Sequence, residues 1–160
     1  MAEAKRLAVG DLAPEFTLVD DSGASVSLTD LRATSQVIVY FYPAALTPGC
    51  TTQATDFTGA LDSLQEAGYT VVGVSPDAPE RLAAFRQQEG LGIVLLSDPD
   101  RSVLRAYGAF GEKKLYGRTV EGVIRSTVVV DRQGMVASAQ YNVRATGHVA
   151  KLRRELGLAA

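Results

Sequence analysis

The residue in this chain best equipped for chemistry is Cys50, its only cysteine, which closes the run Pro43-Ala44-Ala45-Leu46-Thr47-Pro48-Gly49-Cys50. Thr47 and Pro48 form a helix-start pair: a hydroxyl able to cap free N–H groups, then a proline whose fixed φ suits the first helical position. Cys50 therefore falls in a first helical turn, where exposed amides and the positive end of the dipole favour a thiolate. A helix terminus supplies only about 0.3–1 kcal/mol, whereas keeping a free thiol ionised near neutrality takes roughly 3.4 kcal/mol. A second cation is needed. Arg125 is the candidate, because it stands just ahead of the apolar run Thr127–Val130 and a charge beside a buried strand needs a partner. The plainer readings are a buried structural thiol and a solvated arginine at a strand edge.

The elements that must position these groups are legible from periodicity. Val37 to Tyr42 is six apolar residues, β-branched or aromatic, without a charge. That pattern predicts a central strand buried on both faces, ended by Pro43. The helix from Thr47 carries Phe57, Ala60, Leu61 and Leu64 at helical spacing and stops near Gly68. Thr70–Ser75 reads as a second buried strand. Asp77-Ala78-Pro79-Glu80 then reads as a capped start for a helix reaching Glu89. Ile93–Leu96 is a short strand, and Asp98 is expected to cap a helix through Tyr107. Residues 108–122 fit an irregular segment, extended at most over 114–117. Ser126–Val130 and Met135–Tyr141 flank the turn Asp131-Arg132-Gln133-Gly134, and a last helix runs from about Thr146 to Glu155. Before all of these, Glu15–Val19 and Ala24–Leu28 form an N-terminal β-hairpin annex. The order predicts an α/β fold in one domain over residues 1–160, its mixed central sheet flanked by helices on both faces.

Composition narrows the field. The 160 residues are 46% hydrophobic and 21% charged, with a net charge of −2 and no basic tract, which argues against nucleic acid as a partner. The N-terminal residues contain no apolar leader and no run approaches membrane-spanning length, so the expectation is no membrane partner and a cytoplasmic location. One cysteine and one histidine make a zinc site of those ligands implausible, and no metal or other cofactor is expected. His148 could in principle pair with Cys50 as in cysteine hydrolases, but near the start of the last helix a structural or surface role is the simpler reading. Gly108-Ala109-Phe110-Gly111 lacks the spacing of a dinucleotide loop, and helix capping explains Asp98-Pro99-Asp100 without a metal.

Pro43, Thr47 and Cys50 at these spacings, followed by Thr51-Thr52-Gln53-Ala54, resemble the active-site loop of the peroxiredoxins, and most closely their bacterioferritin comigratory protein, or Q-type, branch. The likeness continues through residues 9–18, Val74-Ser75-Pro76-Asp77, Leu96-Ser97-Asp98, Gly117-Arg118-Thr119 and residues 122–131. It implies a thioredoxin-like fold with the hairpin as an N-terminal extension. It also implies a thiol-dependent peroxidase in which a Cys50 thiolate attacks a hydroperoxide and becomes sulfenic acid. By the same resemblance Arg125 sits beside the sulfur and hydrogen-bonds the peroxide, Thr47 bonds the peroxide, and Pro43 shields the thiolate from water. One departure stands out. Many Q-type members carry a second cysteine five positions after the first, where this chain has Thr55. Resolution then falls to an external thiol: thioredoxin, a glutaredoxin-like protein or a low-molecular-weight thiol. The protein is expected to act as a monomer or homodimer in antioxidant defence, with a peroxide sensor as the alternative.

Overall fold

The computed structural model describes residues 5–158. In order these form β1 (Thr17–Asp20), β2 (Ser25–Ser27), α1 (Leu28–Arg32), β3 (Gln36–Phe41), α2 (Pro48–Glu66), β4 (Tyr69–Ser75) and α3 (Pro79–Glu89). The second half adds β5 (Val94–Ser97), α4 (Ser102–Ala106), β6 (Phe110–Leu115), β7 (Arg118–Val123), β8 (Ser126–Val130), β9 (Val136–Tyr141) and α5 (His148–Glu155).

The central strand is buried on both sides. Because side chains alternate along a strand, Ile38, Tyr40 and Tyr42 join a core with Phe57 and Leu64 of α2, Leu82 and Phe85 of α3, and Val149 and Leu152 of α5. Val37, Val39 and Phe41 point the other way, into a core with Phe16, Leu28, Leu104 and Tyr107. Seven strands lie in the order β2-β1-β5-β4-β3-β8-β9. β3, β4 and β5 are parallel, while β1, β8 and β9 run antiparallel to their neighbours. This is the expected α/β fold with a mixed sheet and helices on both faces. The expected N-terminal hairpin joins the sheet edge: Val19 and Asp20 pair with Ser97 and Leu96, and β1 and β2 carry the sheet two strands beyond β5.

Local expectations fail in three places. The segment expected to be irregular is a β6–β7 hairpin, paired from Phe110↔Val123 to Leu115↔Arg118. Its turn is Tyr116-Gly117, both at positive φ (51° and 77°), which gives two-residue turn geometry without the Asn-Gly signal. Second, the helix expected to run from Asp98 through Tyr107 is confined to Ser102–Ala106, because Arg101 adopts φ 64° just before it. Asp98 still serves the helix from a distance, its Oδ2 accepting the Leu104 N–H at 2.8 Å. Third, Asp77 does not cap α3. Ala78 occupies that position without a side-chain cap bond, and the Asp77 carboxylate turns toward the loop after β3.

Candidate active site

β3 ends at Phe41, and the Tyr42 N–H makes one more sheet bond to Val74 O before the chain turns away. The loop that follows is held by its backbone. Asp77 Oδ2 accepts from Ala45 N at 2.7 Å, and Arg81 Nη2 donates to Ala45 O at 3.0 Å. Asp77 and Arg81 pair with each other at 3.2 Å, and Ser75 Oγ donates to the same carboxylate. Both polar groups of one peptide residue are thereby fixed. The next residue, Leu46, takes φ 68°, a conformation costly for a branched side chain and sustained only where the surroundings impose it. Pro43 is exposed at the strand end.

α2 begins at Pro48 with Thr47 in the N-cap position, as the sequence indicates. The expected side-chain cap does not form. Thr47 Oγ1 instead donates to Ala44 O at 2.8 Å, and the first helical bond runs from Thr51 N to Thr47 O. Pulled back toward the loop, the hydroxyl keeps its acceptor lone pairs uncommitted to the helix. Cys50 lies in the first turn with 1% of its surface exposed.

Arg125 reaches Cys50 through strand register. β3 and β8 pair antiparallel with Phe41 opposite Ser126, so the residue preceding β8 lies level with the point where β3 gives way to the Cys50 loop. The half-buried guanidinium donates from Nη2 to Cys50 Sγ at 3.3 Å. Its Nη1 donates to Gln53 Oε1 at 2.6 Å. Cys50 and Gln53 are three residues apart on α2 and so share a helix face, which the planar fork of arginine spans. Gln53 is fully buried and was not singled out from the sequence. Its signals were the i, i+3 spacing from the cysteine and its place in the Thr51-Thr52-Gln53-Ala54 stretch that carries the family resemblance.

Tyr40 and Tyr42 stack in the same buried cluster, ring centroids 5.4 Å apart. Complete burial pushes the Tyr40 phenol far up, so it is a neutral hydroxyl, and it has no hydrogen-bond partner. Its ring packs over Gly73, where a Cβ would come within 2.9 Å.

His148 is buried and structural. Its Nε2 shares a 2.8 Å hydrogen bond with Thr127 Oγ1, and its ring stands edge-on to Phe57 at 6.2 Å. Desolvation pushes its pKa down to about 4, so it is neutral near neutrality. Among the described residues the hydrogen-bond partner of the Cys50 sulfur is Arg125, not His148, which leaves a hydrolase-type cysteine–histidine pair without a basis. Asp98 and Asp100 spend carboxylate oxygens on the Leu104 and Ser102 N–H groups. No described helix is long and apolar enough to cross a membrane.

Comparison with known proteins identifies the family. Residues 9–139 match the sequence profile of the AhpC/TSA family. The chain belongs to that family. It is thus a peroxiredoxin, a thiol-dependent peroxidase. It is 61% identical over 158 residues to a Mycobacterium tuberculosis (strain H37Rv) protein provisionally named peroxiredoxin Rv2521, covering 99% of this chain and 100% of the relative. Peroxiredoxin Bcp of Escherichia coli (strain K12) is 41% identical over 142 residues, with 89% and 90% of the two chains covered. Among solved structures, a Xanthomonas campestris bacterioferritin comigratory protein, described for alkyl peroxide reduction, superposes with a TM-score of 0.82. It has 32% identity over 89% of this peroxiredoxin and 90% of that chain.

Proposed function

We propose that this peroxiredoxin works by a one-cysteine cycle in which Cys50 is the nucleophile and Arg125 the electrophilic clamp. The observation that carries this reading is the 3.3 Å contact between Arg125 Nη2 and Cys50 Sγ, with the other arm of the guanidinium bonded to Gln53. The guanidinium is hydrogen-bonded to the attacking sulfur, and attack of the Cys50 thiolate proceeds along the O–O axis. The sulfur electron pair forms an S–O bond to the terminal oxygen as the O–O bond breaks, leaving Cys50 sulfenic acid and an alkoxide or hydroxide that takes up a proton. Negative charge moves from sulfur to the departing oxygen. A guanidinium fork can follow it, one N–H on each atom. Thr47, whose own proton is spent on Ala44 O, accepts the peroxide O–H and orients it. Pro43, exposed at the end of β3, offers no N–H to hold water beside the loop.

The single cysteine makes resolution an external step. A thiol attacks the sulfenic sulfur, hydroxide leaves as water, and a mixed disulfide forms; a second thiol then releases Cys50. Such a cycle consumes reducing equivalents, which fits antioxidant work in the cytoplasm, where thiols are kept reduced. The test is stopped-flow mixing with hydrogen peroxide or an alkyl hydroperoxide, then trapping of Cys50 with a sulfenic-acid reagent. The expected result is single-site oxidation orders of magnitude faster than that of free cysteine, abolished in Cys50→Ser, with turnover sustained by added thiol. Oxidation at the rate of free cysteine would overturn it.

A further inference from the structure

A groove of about 620 Å³ lies between the end of β9 and one face of α5, lined by polar groups that the peroxide chemistry does not use. Gln140, Asn142 and Arg144 come from the strand end and the following loop, and His148, Lys151 and Glu155 from successive turns of the helix. The volume is that of a small-molecule site.

The loop at one end of this groove has two sides. Val143, Arg144, Thr146 and Gly147 line the groove. Ala145, the loop residue between them, is absent from the lining; its Cβ lies 3.5 Å from where a Cβ on Gly49 would stand. Gly49 is the immediate neighbour of Cys50. The Val143 N–H also donates to the Arg125 carbonyl at 2.9 Å. The loop is therefore the wall shared by the groove and the reactive centre.

Charge within the groove is unevenly committed. Glu155 is engaged by Lys151 at 3.7 Å and by the Gln140 amide. Arg144 is exposed and forms no ion pair among the described residues. His148 is neutral near pH 7, so it sets no positive charge against a bound ammonium group and no negative charge against a carboxylate. The lining offers one available guanidinium, side-chain amides and a hydroxyl.

Building on the peroxidase cycle proposed above, we infer that this groove binds the resolving reductant, and that the reductant is a low-molecular-weight thiol carrying a carboxylate and amide groups. Arg144 takes the carboxylate, Asn142 and the carbonyl oxygen of Gln140 meet the amides, and the thiol extends past the Ala145 wall to the oxidised Cys50. Its sulfur attacks the sulfenic sulfur, hydroxide departs and is protonated, and a mixed disulfide at Cys50 results. A second thiol molecule attacks the outer sulfur, leaving the Cys50 thiol and a small-molecule disulfide.

Glutathione serves as the probe, with uncharged 2-mercaptoethanol for comparison. The protein is first oxidised with one equivalent of hydrogen peroxide, and formation of the Cys50 sulfenic acid is recorded before any thiol is added. Glutathione is then mixed in at rising concentration. The expected result is a reduction rate that saturates, a Cys50–glutathione mixed disulfide in the mass spectrum, and a half-saturation concentration raised about tenfold in Arg144→Ala, the size of one lost charge-assisted bond. Lys151→Ala, which frees Glu155 to repel the carboxylate, is expected to raise it as well, and 2-mercaptoethanol is expected to show linear kinetics altered less than about twofold by either change. Linear kinetics with glutathione, equal effects on both thiols, or reduction by a protein dithiol alone would overturn the groove assignment. Failure of the peroxidase reading is distinguishable, because it appears earlier, as absence of the sulfenic acid.

Discussion

Arg125 Nη2 lies 3.3 Å from Cys50 Sγ, although 75 residues of chain separate them. The contact exists because β8 is laid antiparallel against β3 with Ser126 opposite Phe41. Replacing Arg125 with methionine removes charge and fork together. The expected outcome is a loss of about 10²–10³-fold in the second-order rate of Cys50 oxidation. Arg125→Lys keeps the charge and recovers only part of that loss, since one ammonium cannot bridge sulfur and peroxide in a plane. Stopped-flow rates for the two variants decide whether geometry or charge carries more.

Gln53 holds the other arm of the same guanidinium at 2.6 Å. Gln53→Leu preserves bulk in a fully buried position but leaves Nη1 without its acceptor. Oxidation is expected to slow about tenfold, the size of one charge-assisted bond, and Gln53→Glu to restore most of it. If Gln53→Leu oxidises at the native rate, Arg125 is positioned by something else.

Asp77 anchors the loop ahead of Cys50 from outside it. Asp77→Ala releases the Ala45 N–H and the pairing with Arg81, and the expected cost is about 1–3 kcal/mol of unfolding free energy. The φ of 68° at Leu46 has less to sustain it in that variant, so the rate of Cys50 oxidation should fall further than the stability loss alone explains. Urea titration alongside peroxide kinetics separates the two effects.

His148 links stability to pH. Its folded-state pKa of about 4 is below the ordinary 6.5 because burial disfavours the cation, with Lys151 and Arg125 adding repulsion against an opposing pull from Glu155. Between these values the unfolded chain binds a proton that the folded chain refuses, so stability falls as pH drops through that window. The contribution is fully present above about 6.5 and is lost by about 4, at a total of about 3 kcal/mol. Urea unfolding at pH 7.0, 5.5 and 4.5 should show this slope in the native chain and a correspondingly flatter one in His148→Asn. Equal slopes would refute the assignment.

Much of the scaffold was readable because its signals are local. Six apolar residues without a charge, β-branched or aromatic and ended by a proline, point to a strand buried on both faces, and Pro48 after Thr47 is a local helix-start signal. The misses have separate causes. Asp77 has the form of a helix cap, yet Ala45 and Arg81 claim its carboxylate. Thr47 has the form of one too, but bonds Ala44 behind it. The β6–β7 hairpin escaped because its strands, Phe-Gly-Glu-Lys-Lys-Leu and Arg-Thr-Val-Glu-Gly-Val, have no sustained apolar alternation.

The sequence by itself determined that this chain has one cysteine, places it at the first turn of a helix after a central strand, and provides no second cysteine to resolve it. Those are properties of residue order and of spacings of a few residues, which the backbone reads locally. The tertiary structure alone decided what surrounds the sulfur. The arginine fork, the buried glutamine behind it, the clamp on Ala45 and the loop shared with the groove depend on which strands pair and in what register. Register is set by burial of whole faces across the sheet, and a segment of sequence read by itself holds only one side of that fit.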